Sequence, residues 1–237
     1  MSIIANIIDL FFPAKCVLCG VVLPPGTRPE LCGNCLTQRA ETTVICSKCK
    51  NPIDTATRNP ICTMCQNNAM PYNVALSAFV YDRQVRSAIL RFKVSLQTGV
   101  GMTMADYLAR QAMALGFCIQ NIDAIVCVPS SNPPRNGRFN PAKVIAKRMA
   151  KKMKIPFVTA LKKVKANQMQ HTLSAEQRQQ NIKGVYQVID PALVKGKNLI
   201  LVDDIFTTGA TAAENARLLK QAGAENVFVF TLARPKH

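Results

Sequence analysis

Residues 198–211 read Asn198-Leu199-Ile200-Leu201-Val202-Asp203-Asp204-Ile205-Phe206-Thr207-Thr208-Gly209-Ala210-Thr211. The first five form an apolar β run, the pattern of a strand buried on both faces of a parallel sheet. Residues 212–222 suit a helix that stops at Gly223. Between strand and helix lies a small-residue loop rich in hydroxyls. Backbone N–H groups at the helix start point into such a loop, and the helix dipole favours an anion there. Thr207, Thr208 and Thr211 add hydroxyl donors, and Gly209 permits close backbone approach. The stretch therefore predicts a strand, a phosphate cradle and a helix. It is not a Walker A loop, because no Gly-Lys-Ser/Thr follows, and its single glycine rules out a dinucleotide fingerprint. Two carboxylates beside a phosphate repel it unless they face another group. The 2′- and 3′-hydroxyls of a ribose are such a group, so a ribose 5-phosphate moiety fits both halves at once. An acid pair on an ordinary strand–loop–helix is the plain alternative, and the agreement of strand, acid pair, Thr-Thr-Gly and helix ranks it lower.

Outward from this stretch, residues 71–237 alternate between strand and helix patterns. Residues 74–81, 122–128, 155–159, 185–189, 198–203 and 226–232 read as strands; 83–92, 100–115, 140–153 and 211–222 read as helices. Such alternation predicts an α/β fold, a parallel sheet with right-handed crossovers. Ligands then sit beyond the carboxyl ends of the strands. Three loops meet there: Pro129-Ser130-Ser131, the basic stretch around 160–180, and the 203–211 cradle.

Residues 1–70 read differently. Eight of the ten cysteines lie here as four C-x2-C pairs: Cys16/Cys19, Cys32/Cys35, Cys46/Cys49 and Cys62/Cys65. A shift of 30 residues lays the first four on the second four, and carries Arg28 onto Arg58 and Leu31 onto Ile61, the mark of an internal duplication. Two thiolates three residues apart on a tight turn reach one ion, and four in a tetrahedron select zinc or an iron–sulfur cluster. The paired spacing resembles a zinc ribbon more than a ferredoxin run. Two structural zinc ions are expected, with sequential pairing preferred over a crossed one because each repeat is then self-sufficient. A disulfide framework is the weaker reading, since adjacent C-x2-C thiols make strained bridges. The first residues carry Ile3, Ile4, Ile7, Ile8 and Phe11 at helical spacing. They read as a short amphipathic helix docked on the protein itself, without the basic region or cleavage site of a signal peptide.

The whole chain of 237 residues carries 30 Lys+Arg against 13 Asp+Glu, a net +17. Hydrophobic residues make up 49% and charged residues 18%, which excludes a disordered polyelectrolyte. No apolar run reaches the roughly 18–20 residues of a membrane span. The expectation is a basic, globular, soluble protein with a metal-dependent module over residues 1–70 and one α/β domain over 71–237. Reduced thiols as metal ligands point to the cytoplasm. Much of the charge is local: residues 135–183 hold 13 basic residues against one acid, Glu176.

The 198–211 string resembles the PRPP motif of type I phosphoribosyltransferases. Together with the cysteine pairs it resembles the ComF family, which joins a double zinc ribbon to a phosphoribosyltransferase-like domain. The resemblance spans nearly the whole chain. Residues 81–93, ending on Lys93, are similar to that family's opening segment. Residues 170–186 are similar to its Gln…Leu…Glu-x-Arg-x-x-Asn-x-x-Gly block through Gln170, Leu173, Glu176, Arg178, Asn181 and Gly184. The family usually shows Arg-Gly-Phe-Asn-Gln; here the run is Asn136-Gly137-Arg138-Phe139-Asn140-Pro141, with Arg and Gly exchanged and the Gln lost. The resemblance implies PRPP binding by Asp203, Asp204, Thr207, Thr208, Gly209, Ala210 and Thr211, with Pro129, Ser130 and Ser131 as the pyrophosphate loop. It implies further ligand or hood residues at Lys93, Arg138, Asn140, Gln170 and Arg178, and Mg²⁺ arriving with PRPP. Where purine-salvage members carry a carboxylate this chain has Thr207, so no general base stands out.

ComF-family members are associated with DNA uptake in natural transformation. The basic block fits sequence-independent contacts to phosphates, with Lys147, Lys151, Lys152, Lys162, Lys163 and Lys165 as candidate DNA-binding residues and single-stranded DNA as the expected polymer. Other DNA-uptake proteins are possible partners. Two further readings stay open: an active phosphoribosyltransferase of unknown acceptor, and a protein-interaction module with a vestigial cradle.

Overall fold

The computed structural model describes residues 12–27, 30–40, 46, 60–61, 65–66, 70–114, 121–130, 139–165 and 182–235. Of the residues singled out above, Arg28, Cys49, Arg58, Cys62, Ser131, Asn136, Gly137, Arg138, Gln170, Leu173, Glu176, Arg178 and Asn181 lie outside these, as does the 1–11 segment. In chain order the elements are α1 Gly33–Ala40, β1 Val74–Val80, α2 Arg83–Lys93, α3 Thr98–Ala114, β2 Ala124–Cys127, α4 Pro141–Met153, β3 Leu161–Lys163, β4 Tyr186–Val188, a 3-10 turn Pro191–Leu193, β5 Asn198–Ile205, α5 Ala210–Gln221 and β6 Asn226–Arg234.

Four strands form one sheet in the order β1-β6-β5-β2, and every pairing is parallel. The alternation of side chains explains why the strands read as unbroken apolar runs: both faces are covered. Ile125, Ile200, Val202, Phe230 and Leu232 face a buried cluster with the apolar sides of α2, α3 and α4. Val126, Leu199, Leu201, Val227 and Val229 face a second cluster with α5 and the β3–β4 pair. The helices start where their sequences permit. Asp82 caps α2 by accepting from the Val85 N–H at 2.8 Å. Asn140 caps α4 ahead of Pro141, whose missing N–H costs nothing at that position.

The first cysteine segment joins the α2–α4 side of this core. Cys16, Val17, Leu18, Leu23, Leu31 and Cys35 are buried in the same cluster as Phe92 and Ile89 of α2. The Arg91 guanidinium of α2 donates to the Val17 carbonyl. The composition break near residue 70 therefore does not separate this segment from the α/β core in space.

Two expectations need correction. Residues 155–159 do not form a strand; only a single parallel bridge, Ile125 to Phe157, runs along the β2 edge. Pro156 lacks the N–H a ladder would use and serves only as an acceptor, for the Ile125 N–H at 2.8 Å. The 185–189 segment is a strand, but not of the main sheet. Its core, β4, pairs antiparallel with β3, a strand absent from the sequence reading.

Candidate functional site

The acid pair lies among the last paired residues of β5, one residue before its end at Ile205. Asp203 lies in register with Thr231 of β6. The Asp204 N–H donates to Asp203 Oδ1 at 2.8 Å, so the two residues brace each other. Burial, reinforced by the neighbouring Asp204 charge, pushes the Asp203 carboxyl up to about 7; the Asp204 N–H and Lys93 pull against that rise. Lys93, the last residue of α2, places its Nζ 2.6 Å from Asp204 Oδ2. Burial works against the Lys93 charge, but the attraction and hydrogen bond of Asp204 prevail and hold its pKa above the ordinary lysine value.

The chain then turns through Phe206, Thr207 and Thr208 to Gly209, which sits at the N-cap of α5 with φ of 77°. A Cβ at Gly209 would lie 2.6 Å from the Phe206 ring, so backbone conformation and space both require glycine. Gly209 offers no side-chain cap, and only a long 3.4 Å contact from the Ala210 N–H to Thr208 Oγ1 approaches the helix start. The positive end of α5 therefore has the electrostatics that favour an anion. Thr207 is exposed and Thr208 and Thr211 are half-buried around it.

The second loop comes from β2. Val128 extends the pairing to Val202, and half-buried Pro129 and Ser130 follow. Asn140 fixes this loop by donating from Nδ2 to the Val128 carbonyl at 3.1 Å, while its Oδ1 accepts from the Lys143 N–H. Asn140 thus acts on the loop through its backbone.

Cys16, Cys19, Cys32 and Cys35 converge, with their Sγ atoms all within 4.8 Å of one another and Cys19 to Cys32 at 3.6 Å. A tetrahedron with ~2.3 Å metal–sulfur bonds needs sulfurs roughly 3.8 Å apart, so the four thiols fit one zinc ion. This grouping is the sequential one. Gly20, at φ of 77°, closes the first turn, and the Cys32 N–H donates to Cys16 Sγ at 3.3 Å. Burial opposes a Cys16 thiolate, but N–H donors from Cys32, Cys19 and Leu18 outweigh it and bring its pKa to about 6. Burial and the other thiols push Cys35 the opposite way. Of the second repeat's cysteines, Cys46, which is buried, and Cys65 are described.

The basic candidates do not form one patch. Lys147, Lys151 and Lys152 are exposed on α4, with Lys147 above the Phe157 ring at 5.9 Å. Lys162 and Lys163 belong to β3, which packs on the opposite face of the sheet from α4. Burial lowers the Lys163 pKa.

Three residues escaped the sequence reading. Phe206 is buried behind Gly209, with the Arg234 guanidinium over its ring at 5.2 Å. Phe139 packs edge-on against Phe92 at 5.5 Å, tying the Asn140 cap to α2. Glu214 of α5 is buried, paired with Arg217 and hydrogen-bonded by the Gly184 backbone. Phe206 and Phe139 lie inside quoted motifs; an apolar residue within a polar loop was the available signal. Glu214 gave none beyond a helix acid.

A family model described as "Phosphoribosyl transferase domain" matches residues 108–237. The DNA utilization protein YhgH of Shigella flexneri is 28% identical over 231 residues, covering 95% of this chain and 99% of that protein. Competence protein F of Haemophilus influenzae is 27% identical over 229 residues, covering 94% of this chain and 98% of that protein. Among solved structures, the adenine phosphoribosyltransferase of Saccharomyces cerevisiae shares 21% identity over 59% of this chain and 72% of that one, with a TM-score of 0.36. The full-length relatives agree with the ComF resemblance drawn from the cysteine pairs and the acid-pair loop. With its parallel sheet, its acid pair at the carboxyl end of β5 and the matched residues 108–237, the chain belongs to the phosphoribosyl transferase domain family.

Proposed function

We propose that this chain is a PRPP-binding, phosphoribosyltransferase-fold protein of the ComF type that acts in natural transformation and binds single-stranded DNA through basic surface residues. One observation carries the ligand: four residues join the Asp203–Asp204 pair to a helix start that has a glycine and no side-chain cap. Carboxylates for a ribose diol and N–H groups for a 5-phosphate are then adjacent. Thr207, Thr208, Ala210 and Thr211 line the phosphate side, and Pro129, Ser130 and Ser131 receive the pyrophosphate, with Mg²⁺ supplying charge neutralisation when it is bound. The DNA role rests on the names of the full-length relatives and on the basic block. Because the lysines split between α4 and β3, the α4 row, Lys147, Lys151 and Lys152, is the better DNA track. The β3 pair and Lys165 lie near the base of the segment that resembles the hood.

Two titrations test this reading. PRPP added to the metal-loaded chain should give saturable heat, tighter with Mg²⁺. Labelled single-stranded DNA should bind with an affinity that falls steeply as salt rises. DNA affinity that stays flat with salt removes the DNA claim. Absence of PRPP binding removes the ligand claim and leaves a protein-interaction module.

A further inference from the structure

Lys93 reaches the acid pair from outside the matched residues 108–237. Among the described residues it is the only basic side chain in an ion pair with Asp203 or Asp204. Its position is held by its neighbours. Phe92 is fully buried against Gly101 of α3, where a Cβ would come within 2.4 Å of the ring. The same ring meets Phe139, and Arg91 is tied to the Val17 carbonyl. After α2 the chain turns at once, with Leu96 in the left-handed region at φ of 53°. Lys93 is therefore delivered to Asp204 by a wedged helix end rather than by a free side chain on a loop.

We infer that Lys93 is a positioning residue for sugar recognition: by holding Asp204 it keeps the acid pair aligned to accept the 2′- and 3′-hydroxyls, and so sets a preference for ribose over 2-deoxyribose phosphates. This rests on the cradle reading proposed above. Two adjacent carboxylates repel each other, and the half-buried Asp203 has less solvent than a surface carboxylate to relieve that repulsion. A fixed cation on Asp204 lets both stay ionised down to about pH 7. Without it one carboxyl takes a proton or swings away, and a hydroxyl acceptor is lost. The groups facing Asp203 are Asp204 on its own strand, Lys93 of α2, and Cys127 of β2. Tyr81 stands beside Lys93, and Lys143 and Lys147 of α4 stand beside Cys127. Among the described basic side chains, only Lys93 contacts the pair directly.

The test uses the full, metal-loaded chain with ribose 5-phosphate and 2-deoxyribose 5-phosphate as probes. Binding is measured by calorimetry for the wild type, Lys93→Met, Lys93→Gln and Lys93→Arg. The wild type should prefer ribose 5-phosphate by roughly 10- to 100-fold, the range of one or two charge-assisted hydrogen bonds. In Lys93→Met and Lys93→Gln that preference should fall to about threefold or less, and Lys93→Arg should keep most of it. Lowering the pH from about 8.5 to about 6 should erode the wild-type preference as Asp203 protonates around 7, and should do so at higher pH in the neutral variants. A purely structural role would weaken both sugars equally and leave the preference intact, which overturns the inference. If the neutral variants fail to fold, a wild-type preference that does not change across that pH range overturns it too. A wild type that binds neither sugar overturns the cradle reading itself, and is thereby distinguished from failure of the Lys93 role alone.

Discussion

Asp203→Asn should make the unliganded protein more stable while removing its sugar binding. Burial lifts the Asp203 carboxyl from 3.8 to about 7, so near neutral pH the folded chain holds an ionised group against its preference. Each pKa unit corresponds to about 1.4 kcal/mol, which bounds the cost at about 4 kcal/mol above pH 7. That shift already includes the opposing pull of Lys93; solvent reaching the half-buried side chain discounts the rest, leaving an expected gain of about 2 kcal/mol. The sign follows from proton binding. Between roughly pH 4 and 7 the folded state holds the proton more tightly than the unfolded state, so this group lowers stability as pH rises through that window. The variant lacks the titration, so its advantage should be near zero at about pH 4 and fully developed above pH 7. Thermal unfolding at several pH values reads this directly, with a gain of about 4–8 °C expected at high pH for a chain of this size. An amide keeps the oxygen that accepts from the Asp204 N–H, so the contrast isolates charge. A stability difference that is constant across pH, or a destabilised variant above pH 7, would refute the reasoning.

Other perturbations have equally definite outcomes. Gly209→Ala places a Cβ 2.6 Å from the Phe206 ring at a left-handed φ, and should cost about 1–3 kcal/mol in chemical denaturation and sharply weaken phosphate binding. Asn140→Ala removes the α4 cap and the hold on the Val128 carbonyl; a loss of about 1–2 kcal/mol is expected, with weaker pyrophosphate binding by calorimetry. Stripping metal from the Cys16, Cys19, Cys32 and Cys35 site should lower the melting temperature of the whole chain, because these residues share the core of α2 and α3; an unchanged main transition would show them to be independent. Reversing Lys147, Lys151 and Lys152 to Glu should weaken single-stranded DNA binding and flatten its salt slope more than reversing Lys162 and Lys163, as read by fluorescence anisotropy.

Much of this architecture was legible because it is written in local patterns. The apolar runs at 74–80 and 198–202 and the glycine stop at 223 place strands and helix ends without reference to the rest of the chain. The 198–211 cradle was legible for the same reason, since strand, acids, glycine and helix are contiguous. The sequential four-cysteine grouping was favoured by the spacing, which left a crossed pairing open; the convergence of Cys16, Cys19, Cys32 and Cys35 decides for the first repeat. The failures are tertiary. Leu161-Lys162-Lys163 carries no strand signal; it pairs because Tyr186–Val188 lies opposite it. The 155–159 run looked like a strand because it is apolar, but Pro156 limits it to one bridge. Lys93 could be named as a late lysine of its segment, yet its partner Asp204 comes from a distant strand. The packing of the first cysteine segment on α2 was likewise invisible, because Arg91 and Val17 give no sign of each other in sequence.

The central claim is that the acid pair and the uncapped helix start of α5 together hold a phosphoribosyl group. Calorimetric titration of PRPP into the metal-loaded chain and into its Asp203→Asn/Asp204→Asn variant tests it most directly. The account predicts a saturable single-site isotherm for the wild type and none for the folded double variant. Equal affinity in the two proteins, or no saturable binding to the wild type, would contradict it.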